Sequence, residues 1–218
     1  MTPPGLFECD RVIDEICHLQ WQNLTKEELI DVAWAYHFFS IQFRENLQVA
    51  RGLYPEDENL RRLEREECDT DNLSPWPGVA ASGEKMNHDE FMRRLLSLAP
   101  IERQKRNRLE ALGRDYLDTV REIDPTTRAL SIASYEDGGL ERVFRAILRA
   151  PHWNTESLQA FKHFLDAHIE FDSNPDQGHG ALSRHLAPGD QVLPLWAAFK
   201  RILVEAVPSL SKEAELVL

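Results

Sequence analysis

The stretch that decides the fold class is residues 25–53, TKEELIDVAWAYHFFSIQFRENLQVARGL. Thr25 is followed three residues later by Glu28, which is the spacing of a helix-capping box. Aromatic and aliphatic residues then recur at helical intervals until Gly52 and Pro55 end the pattern. The stretch therefore predicts one long helix, which forms a wall either of the hydrophobic core or of a substrate pocket.

The rest of the chain carries the same helical periodicity. It contains no sustained alternation of polar and apolar residues and no Asn-Gly turn that would indicate a β-hairpin. Further helices are predicted at 8–21, 56–68, 88–98, 101–123, 126–148, 155–172 and 191–207. Because 218 residues suit one hydrophobic core, we expect a single all-α domain over 1–218.

Composition and charge restrict the classes of partner. The net charge is −12 and basic residues are scattered among acidic ones, which disfavours nucleic acid and membrane and favours a small soluble molecule. No window approaches about 18 uncharged apolar residues and no signal sequence is evident, so we expect a cytoplasmic protein. Cys9, Cys17 and Cys68 form no CxxC motif and indicate neither a disulfide framework nor a thiolate metal site.

Polar residues fall on helix faces that are otherwise apolar, and the clearest case is the predicted helix 155–172. With Leu158 at zero and 100° per residue, Phe161, Leu165, His168 and Asp172 all fall within about an 80° arc. The i, i+4 spacing of His168 and Asp172 lets both side chains reach one ion from a single face.

Other predicted helices repeat this anomaly. Glu136 lies in the middle of an apolar stripe, Glu67 shares a face with two leucines, and His88 begins a helix on its apolar side. His179 follows a break that contains Pro175 and Gly178. Three alternatives stay open, because Glu64 or Glu66 could replace Glu67 as a ligand and Asp176 could replace Asp172.

Each of these residues taken singly could be a hydrogen-bonded core group or half of a salt bridge. Taken together, three acids and three imidazoles on inward helix faces resemble the way helical bundles bind two metal ions. Oxygen and nitrogen ligands without sulfur favour iron or manganese, allow zinc and disfavour calcium.

The order of these residues, E…H…E…H-x-x-x-D…H, resembles that of the haem-oxygenase-like dinuclear iron oxidases. The resemblance covers about residues 30–205 and is carried by REECDTDN (Glu67), NHDEFMRRLL (His88), SIASYEDGG (Glu136) and FKHFLDAHIEFDSNPDQGHGALSRHL (His168, Asp172, His179). Compared with the common H-x-x-x-D-x-x-H spacing of the family, this chain has four extra residues between Asp172 and His179.

The resemblance implies a seven-helix bundle with two iron ions in its core, held by Glu67, His88, Glu136, His168, Asp172 and His179. It also implies that O2 is a co-substrate and is reduced through a peroxo-diiron(III) intermediate, with an external electron donor and a homodimeric state. The implied substrate is a small amino-acid or amine-type metabolite that undergoes desaturation, C–C or C–N bond chemistry, ring formation or N-oxygenation.

Four residues are candidates for binding that substrate. Arg184 and Arg44 could each bind a carboxylate through two hydrogen bonds, and Tyr36 and Phe43 could line the pocket. Two other functions remain open for the same fold. One is a metal-independent enzyme of the thiaminase-like or cofactor-ring-oxidising type, and the other is a non-catalytic protein that binds small molecules.

Overall fold

The computed structural model describes residues 8–68, 75–172 and 178–211. The described part of the chain is helical and has no β-strand, only an isolated bridge between Trp76 and Ala80. The prediction of an all-α fold is confirmed, while the seven-helix haem-oxygenase-like arrangement stays a prediction.

The helices lie close to their predicted positions. Their bounds are α1 Glu8–Cys17, α2 Lys26–Leu53, α3 Glu58–Cys68, α4 His88–Ser97, α5 Arg103–Arg121, α6 Pro125–Ser134, α7 Leu140–Ile147, α8 Glu156–Asp172, α9 His179–Ser183 and α10 Leu193–Ala206. Short 3-10 turns lie at Trp21–Asn23, Arg184–Leu186, Asp190–Val192 and Pro208–Ser211.

The long helix α2 is the centre of the fold and begins as its sequence predicts. The Thr25 hydroxyl accepts a hydrogen bond from the Glu28 amide at 3.2 Å, and the Glu28 carboxylate accepts one from the Thr25 amide at 2.8 Å. These bonds satisfy two backbone groups that a helix start leaves unpaired. The helix contacts α3, α4, α5, α6, α8 and α10 and thereby forms one wall of the core.

Aromatic rings fill the space between α2, α10 and the end of α6. Phe39 stacks at 4.2 Å on Phe199, and Tyr135 meets Phe39 and Trp196 edge to face at 5.1 and 4.9 Å. Burying one such ring stabilises the fold by roughly 1.5–3 kcal/mol. This packing fixes the wall from which the candidate site is built.

The structure differs from the sequence prediction in the middle of the predicted helix 126–148. A wide turn, Tyr135–Gly139, separates α6 from α7, and within it Gly138 takes the left-handed value φ 89°. A Cβ on Gly139 would lie 2.7 Å from the Trp196 ring, so glycine is needed there for close packing. Wide turns of this kind occur often at functional sites, and this one carries Glu136.

Every helix in the described ranges is too short or too polar to cross a lipid bilayer.

Candidate metal centre

Three of the predicted ligands, each from a different element, form a compact buried group. Glu67 lies at the end of α3, Glu136 in the wide turn and His179 at the start of α9. His179 Nδ1 is 2.7 Å from Glu67 Oε1 and 3.4 Å from Glu136 Oε2. One ligand atom from each residue lies within 4.8 Å of the other two, so the three could hold one metal ion.

The second oxygen of Glu67 belongs to another group of imidazoles. Glu67 Oε2 lies 2.9 Å from Nδ1 of His88, which in turn lies 3.3 Å from Nε2 of His168. The two rings meet edge to face with their centroids 4.6 Å apart. Glu67 is therefore the residue common to both groups, with one carboxylate oxygen toward each.

These distances fit metal ligation. Two ligand atoms at about 2.1 Å from one ion are roughly 3 to 3.5 Å apart, depending on the coordination geometry. The four contacts above span 2.7 to 3.4 Å. No large movement of the backbone would be needed to place ligand atoms around an ion.

Glu67 is a buried carboxylate whose close partners are the imidazoles of His88 and His179. It is 4% exposed, and no Lys or Arg of the described residues forms an ion pair with it. Its Oε1 accepts no hydrogen bond from the described part of the chain, although His179 Nδ1 is close to it. Burial raises the pKa of this carboxyl, but the adjacent His88 and His179 outweigh burial and hold the pKa well below its usual range.

The tautomer of His168 is set by a backbone contact. His168 Nδ1 lies 2.7 Å from the carbonyl oxygen of Phe164, one helical turn earlier. Because a carbonyl only accepts, Nδ1 carries the proton, and in the neutral ring the lone pair is on Nε2, which faces His88. Metal-binding histidines are commonly fixed in this way.

The alternative acids take different positions. Glu64 pairs with Arg51 at 3.2 Å, outside the buried group. Glu66 bonds Arg62 at 2.6 Å and also comes within 3.6 Å of Nε2 of His179, the nitrogen opposite the one that faces Glu67. Glu67 thus lies inside the buried group and Glu66 at its edge, and the assignment of Glu67 as the ligand stays a prediction.

The predicted ligand Asp172 and its alternative Asp176 lie at the end of α8 and in the segment that follows it. Asp172 is the last residue of α8, and its side chain lies outside the described residues, as does the whole of Asp176. Their part in metal binding stays a prediction.

A small cavity adjoins the two groups. Its volume of about 20 Å³ is that of one water-sized molecule, and its wall includes the predicted pocket residues Tyr36 and Phe43. Phe39 and Ser40 also line it, and the sequence prediction missed both. Their signal was present, because positions 36, 39, 40 and 43 follow the i, i+3, i+4, i+7 spacing of one helix face.

The two predicted carboxylate-binding arginines already bond acids of the protein. Arg44 donates hydrogen bonds to both oxygens of Asp89, at 3.2 and 2.9 Å, next to His88. Arg184 donates to Asp137 at 2.8 and 3.1 Å, next to Glu136. Both pairs support segments that carry predicted ligands, and a role in substrate binding stays a prediction for both arginines.

Comparison of the chain with protein-family models, with curated proteins and with solved structures finds no match. The resemblance to the dinuclear iron oxidases therefore rests on the sequence motifs alone.

Proposed function

We propose that the chain is an O2-dependent, non-haem diiron oxidase or oxygenase that acts on a small amino-acid or amine-type metabolite. The observation that carries the proposal is the position of Glu67, whose two oxygens contact separate histidine groups inside the core. A carboxylate that bridges two ions needs this arrangement. The substrate class comes from the family resemblance alone.

The electrostatics of the group favour cations. Glu67 and Glu136 are 4% and 7% exposed, and their carboxylates lie on either side of His179 Nδ1. Burying a charge without a compensating charge costs several kcal/mol in practice. The free energy of metal binding can offset this cost. Bound divalent ions would offset the negative charge of these acids, and the oxygen and nitrogen donors suit iron.

Bound iron would supply the reduction of O2, which no side chain can carry out. The protein's own groups would hold and shield that centre. The Phe164 carbonyl keeps the lone pair of His168 Nε2 directed inward, and the rings of Tyr36 and Phe43 restrict water at the adjoining cavity. The cavity admits a molecule the size of O2 but not a metabolite, so we expect the substrate to bind at its border.

The test is an anaerobic titration of metal-free protein with Fe(II), followed by rapid mixing with O2 and a panel of amino acids and amines. We expect about two irons per chain and a substrate-dependent consumption of O2. Uptake of Zn(II) but no consumption of O2 with Fe(II) would indicate a zinc enzyme instead. Absence of metal uptake would overturn the proposal and favour the metal-independent enzyme or the binding protein.

A further inference from the structure

A second cavity lies on the other side of the wide turn. Its volume is about 450 Å³, within the range of sites for small molecules, and it shares no lining residue with the cavity at the metal centre. Asp137, Gly138 and Gly139 of the wide turn form one wall, and α1 contributes another. Glu136 therefore faces the metal-ligand group while the next residue faces this cavity.

The wall of the second cavity carries balanced charges of both signs. Arg142 bonds Asp10 at 2.9 Å and Asp14 at 2.6 Å, and Arg184 bonds Asp137 at 2.8 Å. All of these residues except Asp14 line the cavity, and the side chains of Arg184 and Asp137 are 55% and 43% exposed. An ion pair this exposed adds little net stability, so Arg184 and Asp137 can exchange partners with a ligand at small cost.

One strained backbone residue borders the same cavity. Ala187 has φ 44°, the one left-handed value of a residue other than glycine in the described ranges, whereas Gly138 takes φ 89° without strain. Both residues line the second cavity. Sparsely populated backbone conformations often occur at ligand-binding sites, where the surrounding structure holds them in place.

The cavity is mechanically connected to the candidate metal ligands. Asp137 follows Glu136, and its partner Arg184 directly follows α9, the helix that begins at His179. A Cβ on Gly180 would lie 3.0 Å from the Glu136 carbonyl oxygen and 3.3 Å from Asp137 Cα, so α9 and the wide turn are in close contact. The Arg184–Asp137 pair therefore joins the two segments that carry Glu136 and His179.

We propose that the second cavity binds a small zwitterion, a molecule with one carboxylate and one ammonium group, and that binding stiffens the junction between the wide turn and α9. The carboxylate would bind Arg142 and Arg184, and the ammonium would bind Asp10 and Asp137. The four charged groups that line the cavity have a net charge of zero and form two Arg–Asp pairs, which suits a zwitterion better than a simple anion or cation. The effect on metal affinity rests on the proposed function, whereas binding to the cavity does not.

The first experiment measures binding by calorimetry to metal-free protein. The probes are glycine, β-alanine and 4-aminobutyrate, which space the two charges differently, with acetate and methylamine as single-charge controls. We expect saturable binding of at least one zwitterion at millimolar concentration or below and weaker binding of both controls. Arg184→Gln and Arg142→Gln should each weaken it by about tenfold or more, because a charged hydrogen-bond partner is lost.

The matched control is Arg145→Gln. Arg145 bonds Glu141 at 2.7 Å on the surface of α7 but does not line the cavity, so binding should be unchanged. Circular dichroism checks that each variant keeps its helices. Absence of saturable binding by all zwitterions, or binding that neither arginine variant weakens, would overturn the site.

The second experiment repeats the Fe(II) titration with and without the bound zwitterion. Linkage requires that the ligand raise the affinity for iron by the same factor by which iron raises the affinity for the ligand. An unchanged iron affinity would overturn the coupling but leave both sites standing. Absence of iron binding, with zwitterion binding intact, would overturn only the proposed function.

Discussion

Glu67 Oε1 and His179 Nδ1 lie 2.7 Å apart, yet this carboxylate oxygen accepts no hydrogen bond from any residue that the structure describes. The contact is close but lacks the geometry of a hydrogen bond, so this oxygen still has lone pairs that could bind a cation. Glu136 Oε2 faces the same nitrogen at 3.4 Å. Two acids and one imidazole therefore converge in a way that a cation would stabilise.

Replacing the shared carboxylate should affect both metal positions. We expect Glu67→Gln to reduce iron uptake well below one ion per chain, because its oxygens face both groups and an amide is a weak ligand. Glu136→Gln should lower the affinity of one position and leave the other near His88 and His168 occupied. The number of iron ions per chain, measured after anaerobic titration and desalting, distinguishes the Glu67→Gln result from the Glu136→Gln result.

Glu64→Gln is the matched control for this pair of variants. Glu64 lies on the same helix as Glu67 but pairs with Arg51, so its loss should leave iron uptake unchanged. Equal iron uptake by the Glu67 and Glu64 variants would rule out Glu67 as a bridging ligand.

Local signals in the sequence were sufficient to predict most of the helices and to select five residues that the structure places close together, whereas their binding of metal stays a prediction. The Thr25 and Glu28 capping box fixed the start of α2 to the residue, because its bonds are local. Glu67, Glu136 and His179 were found because an acid or imidazole on an apolar face is costly to bury and so stands out.

The wide turn and the second cavity were not predicted. Asp137, Gly138 and Gly139 form a local turn signal, but the apolar stripe that continues from α6 into α7 favoured one unbroken helix instead. The pairing of Arg184 with Asp137 joins residues 47 positions apart. A single sequence gives no local signal for such a contact.

A methyl group at Gly180 should displace the candidate ligands Glu136 and His179 without unfolding the protein. In Gly180→Ala the new Cβ would lie 3.0 Å from the Glu136 carbonyl oxygen, so α9 and the wide turn must separate. We expect a stability loss of about 1–3 kcal/mol, typical of overpacking, together with weaker iron binding. Urea unfolding and iron titration measure the two effects.

Gly52→Ala is the control for added bulk. Nothing lies within 4 Å of a Cβ at Gly52, which is in the last turn of α2, and alanine favours helix by up to about 1 kcal/mol. Stability should stay equal or rise, and iron binding should not change. Iron binding by Gly180→Ala equal to that of the unchanged protein would show that this contact does not position the ligands.

The buried Gln42 should be important for stability because it joins two tyrosines. Its amide donates to the Tyr135 hydroxyl at 2.8 Å, and its carbonyl accepts from the Tyr116 hydroxyl. Burial, and then the neighbouring Tyr135, raises the pKa of Tyr116 well above its usual value, so this hydroxyl remains a donor. Gln42→Leu should cost roughly 1–3 kcal/mol in urea unfolding, since a buried hydroxyl loses its partner. The same change at exposed Gln48 of this helix should cost little, and equal losses would contradict the argument.

The buried pair of Asp31 and Lys105 should make stability depend on pH. Burial raises the pKa of the Asp31 carboxyl, and Lys105 at 2.8 Å opposes this effect without cancelling it. A carboxyl with a raised folded-state pKa holds its proton more tightly when folded, so its contribution to stability falls as pH rises from its unfolded pKa of about 3.9 through the folded value.

Lys105→Ala removes the opposing charge. The folded-state pKa of Asp31 then rises further, and the pH range over which stability falls becomes wider. We expect a loss of roughly 1–3 kcal/mol at neutral pH that shrinks on acidification, as Asp31 takes up a proton. In an Asp31→Asn background the same lysine change should cost little at any pH, and a pH-dependent loss there would assign the effect to another group.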